Sequence, residues 1–303
     1  MAEGASLHLR HIVAATDESD MGRQAVRSSV ELAKRAGGRL TVIHAVPVSV
    51  GQAPVAATVT PDHEHPEAEH PAVIRLRHWI GAELPARNEP PPVSLGVAFG
   101  VPGIEITRFA ERRDADLLVL GRKPRSQMAR LLMGDTADAV ARRSRIPCFF
   151  IPPRDGFFRR MLVALDGTER GMAVLHAACG FAQSLGVSFS VVTVDTSTAG
   201  EPVGLAAALP GARSARLQGR VQAILVKAAT ACPAWTRSQP AHHDVDIRHG
   251  DVVEEVLAAV EDTQSDVLVI GYHRGGLPGI LEAGSTARRL AHLAPCAVLT
   301  IPL

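Results

Sequence analysis

Neither sign of charge dominates this chain. Its 303 residues carry 32 Lys+Arg against 31 Asp+Glu. So even a balance gives no general pull towards nucleic acid or an acidic membrane surface. Cysteine is sparse as well: Cys148, Cys179, Cys232 and Cys296 are scattered and form no CxxC pair. That excludes a disulfide scaffold and leaves buried, reduced thiols as the expectation. No stretch approaches the roughly 20 apolar residues that a membrane helix needs. The opening segment MAEGASLHLRHIVAATDES lacks a basic stretch followed by a long apolar run. A cytoplasmic protein without membrane or nucleic-acid partners is therefore expected. Catalytic motifs are missing too. There is no GxSxG elbow, no HExxH helix, no paired-carboxylate spacing and no Gly-x4-Gly-Lys-[Ser/Thr] loop. Hydrolases built on those devices are disfavoured, and any ATP turnover is expected to be slow or incidental.

What the chain does have is itself, twice. HIVAATDES (11–19) returns as MLVALDGTE (161–169), with Asp17 over Asp166 at an offset of 149. ADLLVLG (115–121) returns as SDVLVIG (265–271), with Gly121 over Gly271 at an offset of 150. GDTADAVARRSRIPCFFIP (134–152) returns as GSTARRLAHLAPCAVLTIP (284–302), and the turn glycines Gly100 and Gly250 share the same spacing. Such agreement over four blocks predicts two domains, 1–153 and 158–303, of one fold.

Short apolar runs between polar or glycine turns read as buried parallel strands. In the first copy they cover 11–16, 39–46, 93–99, 116–120 and 147–151. In the second they cover 160–165, 188–194, 244–249, 266–270 and 296–301. Helical stripes lie between them. Ala25, Val26, Ser29, Val30, Leu32 and Ala33 form one, ended by Gly37-Gly38. Ile104, Ile106, Phe109 and Ala110 form another. Segments 169–185, 212–231 and 252–263 complete the second copy. Alternating strands and helices predict an α/β fold of two repeated domains. Each is a five-stranded parallel sheet with helices on both faces. A Pro-, Ala-, His- and acid-rich excursion from Pro47 to about Pro71 interrupts the first copy. Its His63, His65 and His70, and the pair His242-His243, read as surface histidines rather than a metal site.

Open parallel sheets bind ligands beyond the carboxyl ends of their strands, where the strand order reverses. Three features of each copy should meet there. They are the end of the first strand (Thr16-Asp17, or Leu165-Asp166), the glycine closing the fourth strand (Gly121 or Gly271), and the start of the last helix (Gly134-Asp135-Thr136, or Gly284-Ser285-Thr286). Unpaired N–H groups and the positive dipole at a helix start suit phosphate, and a carboxylate suits ribose hydroxyls.

In these features each copy resembles the universal stress protein domain. The opening strand ends in Asp, and the closing strand follows Pro147-Cys148 or Pro295-Cys296. The resemblance implies an adenine nucleotide α-hydrolase-like fold with strand order 3-2-1-4-5, and pairing of the two domains through their last strands as an internal pseudo-dimer. A true homodimer is also compatible with it. It further implies a stress-response regulator that binds ATP, or ADP or AMP, with or without Mg²⁺, mainly in the second domain. Nucleotide-binding members of the family carry Gly-x2-Gly-x9-Gly-[Ser/Thr]. Here the second copy keeps Gly271 and Gly284-Ser285 but has Arg274 at the inner glycine. That arginine either blocks close approach or pairs with phosphate. By the same resemblance Asp166 would contact ribose or base, Val194 and Ile270 would line the adenine slot, and Gly271, His273, Gly284, Ser285 and Thr286 would surround the phosphates. In the first copy Asp17, Gly121, Gly134 and Thr136 remain, but Pro124 removes a donor and Asp135 sets a carboxylate beside the expected phosphate. An empty or weaker first site is expected. The competing expectation is a nucleotide-free interaction protein, or a binder of another small molecule.

Overall fold

The computed structural model describes residues 7–47, 58–59, 71–83, 91–123, 135–154, 156–168, 170–196, 219, 221–223, 226, 245–272 and 285–303. Two compact units divide the chain, His8–Phe157 and, with Leu7, Phe158–Leu303.

The first unit runs β1 (His11–Thr16), α1 (Asp20–Ala36), β2 (Arg39–Val46), β3 (Thr58–Val59), α2 (Pro71–Glu83), β4 (Val93–Phe99), α3 (Pro102–Arg112), β5 (Leu117–Gly121), α4 (Asp135–Arg143) and β6 (Cys148–Ile151). Its sheet has the order β3-β4-β2-β1-β5-β6, and every pairing except β3–β4 is parallel. All six residues of β1 are buried, so both faces of that strand are covered. A run such as Ile-Val-Ala-Ala forms a strand because each side of the sheet receives an apolar side chain. Helix α1 packs on β1, β2 and β5, while α3 packs on β2 and β4 and against α4. The expected stripe of α1 is its buried face, from Ala25 to Ala33. Ser19 caps its start by accepting from the Gly22 N–H at 3.2 Å, and Gly37 ends it at φ 64°, the left-handed region that a side chain resists. In α3 the stripe differs from the reading above. Ile104 is only partly buried, and Glu105 is buried in its place, ion-paired at 2.7 Å with Arg108.

Two departures from the expected five-stranded domain fall in the first unit. A sixth strand, β3, adds two residues antiparallel to the edge of the sheet, and α2 packs on β4. Both arise within or just after the excursion, where a two-residue pairing leaves no periodicity to read. Its three histidines, together with His242 and His243, lie outside the described residues, and so does Cys232. Cys148, Cys179 and Cys296 are buried thiols. Among the described residues no helix is long and apolar enough to cross a membrane, and no cluster of His, Cys, Asp or Glu could hold a metal ion.

The second unit runs β7 (Arg160–Leu165), α5 (Gly171–Leu185), β8 (Ser188–Asp195), β9 (Val245–His249), α6 (Val252–Asp262), β10 (Val267–Tyr272), α7 (Ser285–Leu293) and β11 (Ala297–Pro302). Its five strands are all parallel, in the order β11-β10-β7-β8-β9. Numbered within the unit this is 3-2-1-4-5 read from the other edge, as the family resemblance implies. Helix α5 packs on β7, β10 and β11. Helix α6 packs on β7, β8 and β9, and α7 packs on β10 and against α6. Of the expected helix 212–231, residues 219, 221–223 and 226 are helical.

A carboxylate pins the start of the first strand in each unit. Asp116 Oδ2 accepts from the Arg10 and His11 N–H groups at 2.9 and 2.8 Å. Asp266 accepts from the Arg159 N–H at 3.0 Å and the Arg160 N–H at 3.3 Å. Beside the first clamp His11 is buried at 4% exposure. Its Nδ1–H donates to the Arg113 carbonyl at 2.9 Å, and its Nε2 accepts from the Thr41 hydroxyl at 2.9 Å. Burial first, then the adjacent Arg39 guanidinium, lowers its pKa below the ordinary histidine value. The unfolded chain therefore takes up this proton before the folded one does. Stability that is fully present above about pH 6.5 is lost as pH falls below it. Unfolding free energies measured from pH 8 to pH 5 are expected to fall less steeply for His11→Gln than for the native chain. Parallel curves would show that His11 does not contribute.

Candidate functional site

In the second unit the ends of β7, β8 and β10 and the starts of α5, α6 and α7 surround a cavity of about 400 Å³. It lies where sequence reasoning places a ligand, because the strand order reverses at β7, which pairs with β8 on one side and with β10 on the other. Leu165, Asp166, Val194, Ile270, Gly271 and Thr286 all line it. Ser285 opens α7, next to Thr286. His273, Arg274 and Gly284 lie outside the described residues.

Most of the wall is aliphatic, with Val174 of α5, Val252 and Val256 of α6, and Leu290 of α7 joining the strand residues. Polar groups are few. Asp166 is exposed at the mouth, where its Oδ1 accepts from the Thr168 N–H at 2.9 Å and the Thr168 hydroxyl at 2.8 Å. These bonds fix the carboxylate and leave Oδ2 for an incoming donor. Gly167, at φ 69°, allows the chain to turn sharply after it. Thr196 and Thr286 add hydroxyls, and Thr193 belongs to the wall with its own hydroxyl buried and unpaired among the described residues. Val174, Thr193, Val252, Val256 and Leu303 were invisible to motif reading, because no loop pattern announces side chains gathered from four elements.

Leu303 changes the picture at Gly271. A Cβ on that glycine would stand 2.6 Å from Leu303 Cδ1 and 3.0 Å from Val174 Cγ2. The side of Gly271 on which a Cβ would stand is thus packed by two apolar side chains.

The first unit closes its corresponding position in another way. Asp17 Oδ1 accepts from the Ser19 N–H at 3.1 Å and from the Ser19 hydroxyl, and Thr16 Oγ1 accepts from the Glu18 N–H at 3.0 Å. Glu18 takes the left-handed conformation, φ 64°, that Gly167 takes in the second unit, and its carboxylate pairs with Arg75 of α2 at 3.2 Å. This tight turn sets the first turn of α1 directly on Gly121. A Cβ there would overlap the Met21 carbonyl oxygen, 2.5 Å from its carbon and 2.9 Å from the Met21 Cβ. Of the expected first-site residues, Asp17 is exposed, and Gly121 and Thr136 are half-buried. Gly134 and Pro124 lie outside the described residues.

A model of the universal stress protein family matches this chain twice, over residues 8–152 and 157–302. A universal stress protein of Methanocaldococcus jannaschii is 26% identical over 148 residues, which cover 47% of this chain and 81% of that protein. A solved universal stress protein from Archaeoglobus fulgidus is similar at a TM-score of 0.63 and 17% identity, covering 97% of this chain and 98% of its own. A protein of unknown function from Pseudomonas aeruginosa gives the same TM-score at 16% identity, over 97% of this chain and 92% of its own. At these identities the two structures speak for the fold alone.

Proposed function

This chain belongs to the universal stress protein family, with one family domain in each half, and from that premise we propose that it is a stress-response protein holding an adenine nucleotide in the crevice of its second half. The observation that carries the reading is the gathering of Leu165, Asp166, Val194, Ile270, Gly271 and Thr286 around one cavity. Its aliphatic walls suit a flat base, with Val194 and Ile270 against the ring. The fixed carboxylate of Asp166 suits a ribose hydroxyl, and the first turn of α7 offers N–H groups to phosphate. Asp166 is the one carboxylate among the described lining residues. Mg²⁺, which favours oxygen ligands and keeps its waters, would therefore be held chiefly through the phosphates.

ATP with Mg²⁺ is expected to stabilise the native chain by about 2.7 kcal/mol at 100 times its dissociation constant. Thermal unfolding with and without the nucleotide measures this, and Asp166→Ala is expected to shrink the shift. If ATP, ADP and AMP all leave the unfolding curve in place, the reading fails.

The packing of Leu303 and Val174 on Gly271 favours a second reading, a nucleotide-free protein that binds another small molecule or a protein partner. Mass spectrometry of molecules released by heat from the purified protein separates the two. A near-stoichiometric adenine nucleotide supports the first, and its absence supports the second.

A further inference from the structure

The glycine at the carboxyl-terminal part of the fourth parallel strand is covered by different kinds of atom in the two halves. Over Gly121 lies the main chain of Met21, in the first turn of α1, held by the Ser19 cap. Main chain of this kind cannot withdraw without unwinding the turn. Over Gly271 the nearest atoms are side-chain atoms, from Val174 and Leu303. Val174 is 2% exposed on α5, and a β-branched residue in a helix has essentially one rotamer. Leu303 is different. It follows β11 and is only partly buried, and its N–H donates to the Tyr272 carbonyl at 3.0 Å. That bond fixes its backbone but leaves two side-chain torsions with staggered alternatives.

We infer that Leu303 is the access-determining residue of the second cavity: its isobutyl group closes the approach to the Gly271 main chain, and a ligand that uses that main chain must first turn it out. The inference rests on the reading of this cavity as a ligand site. It goes further by assigning control of the site to a residue outside the glycine loop. A ligand that binds only the turned-out state has its apparent affinity reduced by the fraction of molecules in that state. Shortening Leu303 removes this reduction, and enlarging it deepens the reduction.

The test uses the full chain with Leu303→Ala and Leu303→Trp. Both are checked by circular dichroism for retained fold, at a position where partial exposure tolerates either change. Two probes are titrated, ATP by calorimetry and the apolar dye 8-anilinonaphthalene-1-sulfonate by fluorescence. Leu303→Ala is expected to tighten binding of at least one probe by about tenfold, and Leu303→Trp to weaken the same probe by a similar factor. If neither variant moves either probe, or the alanine variant binds more weakly, the assignment to Leu303 is overturned. If the dye responds as expected while ATP binds none of the three proteins, Leu303 keeps its role and the nucleotide reading falls instead.

Discussion

Gly121→Ala is expected to destabilise the first unit by about 3 kcal/mol, whereas Gly271→Ala costs the second less than about 1 kcal/mol. The two glycines hold equivalent places in equivalent strands, yet a methyl group meets different matter at each. At Gly121 it overlaps the Met21 carbonyl, and relief requires moving the first turn of α1 together with the Ser19 cap and the Asp17 turn that hold it. At Gly271 it meets the far end of Leu303, which can rotate, and Val174, which must yield a few tenths of an ångström. Urea unfolding followed by circular dichroism reads the difference, with separate phases for the two units analysed individually because the chain need not unfold in one step. Equal costs at the two positions would show that the packing on these glycines has been misjudged.

Asp116→Ala should remove about 2–3 kcal/mol from the same unit, the scale for two hydrogen bonds to a charged acceptor that is partly solvated. Its carboxylate takes the N–H groups of Arg10 and His11, at the point where β1 has only just entered the sheet. Without it the His11 N–H loses its side-chain acceptor, whereas the Arg10 N–H keeps the His8 carbonyl at 3.0 Å. Asp116→Asn keeps an acceptor oxygen and should lose about half as much. The matching change Asp266→Ala should act on the second unit through Arg159 and Arg160. Denaturation midpoints of the three variants measure this. An asparagine variant as damaged as the alanine one would mean that charge, rather than acceptance, does the holding.

The same carboxylates mark two of the strand starts that differ from expectation; β6, β9 and β11 also begin one residue later than expected. Strands were expected at 116–120 and 266–270, yet β5 and β10 begin at Leu117 and Val267. The aspartates stand just outside, where their side chains accept from the first N–H groups of the neighbouring strand. Elsewhere the apolar runs were enough: β1, β2, β4 and β7 have the bounds that composition alone assigns, even with Arg39, Ser94 and Arg160 exposed in three of them. Helix α2 and strand β3 were not legible. They belong to an insertion without a counterpart in the other copy, so repetition offered no check. At the candidate site, the strand ends and Thr286 came from the doubled motif. Leu303 did not, because its relation to Gly271 is made by the adjacency of β10 and β11 rather than by any spacing along the chain. Met21 escaped for a similar reason. Its carbonyl reaches Gly121 only because the Asp17 turn sets the register of α1, and that register is a matter of three dimensions.

The cover that Met21 places on Gly121 bears on what the first half is free to become. A loop that cradles an anion tolerates little, since every donor must face inward and every carboxylate nearby repels the guest. Where a helix has already occupied that face, those demands lapse. The sequence is then free to carry a proline at 124 and an acid at 135. Doubling a domain thus divides its obligations: one half can drift towards being scaffold while the other keeps its crevice, and the chain loses nothing by the exchange.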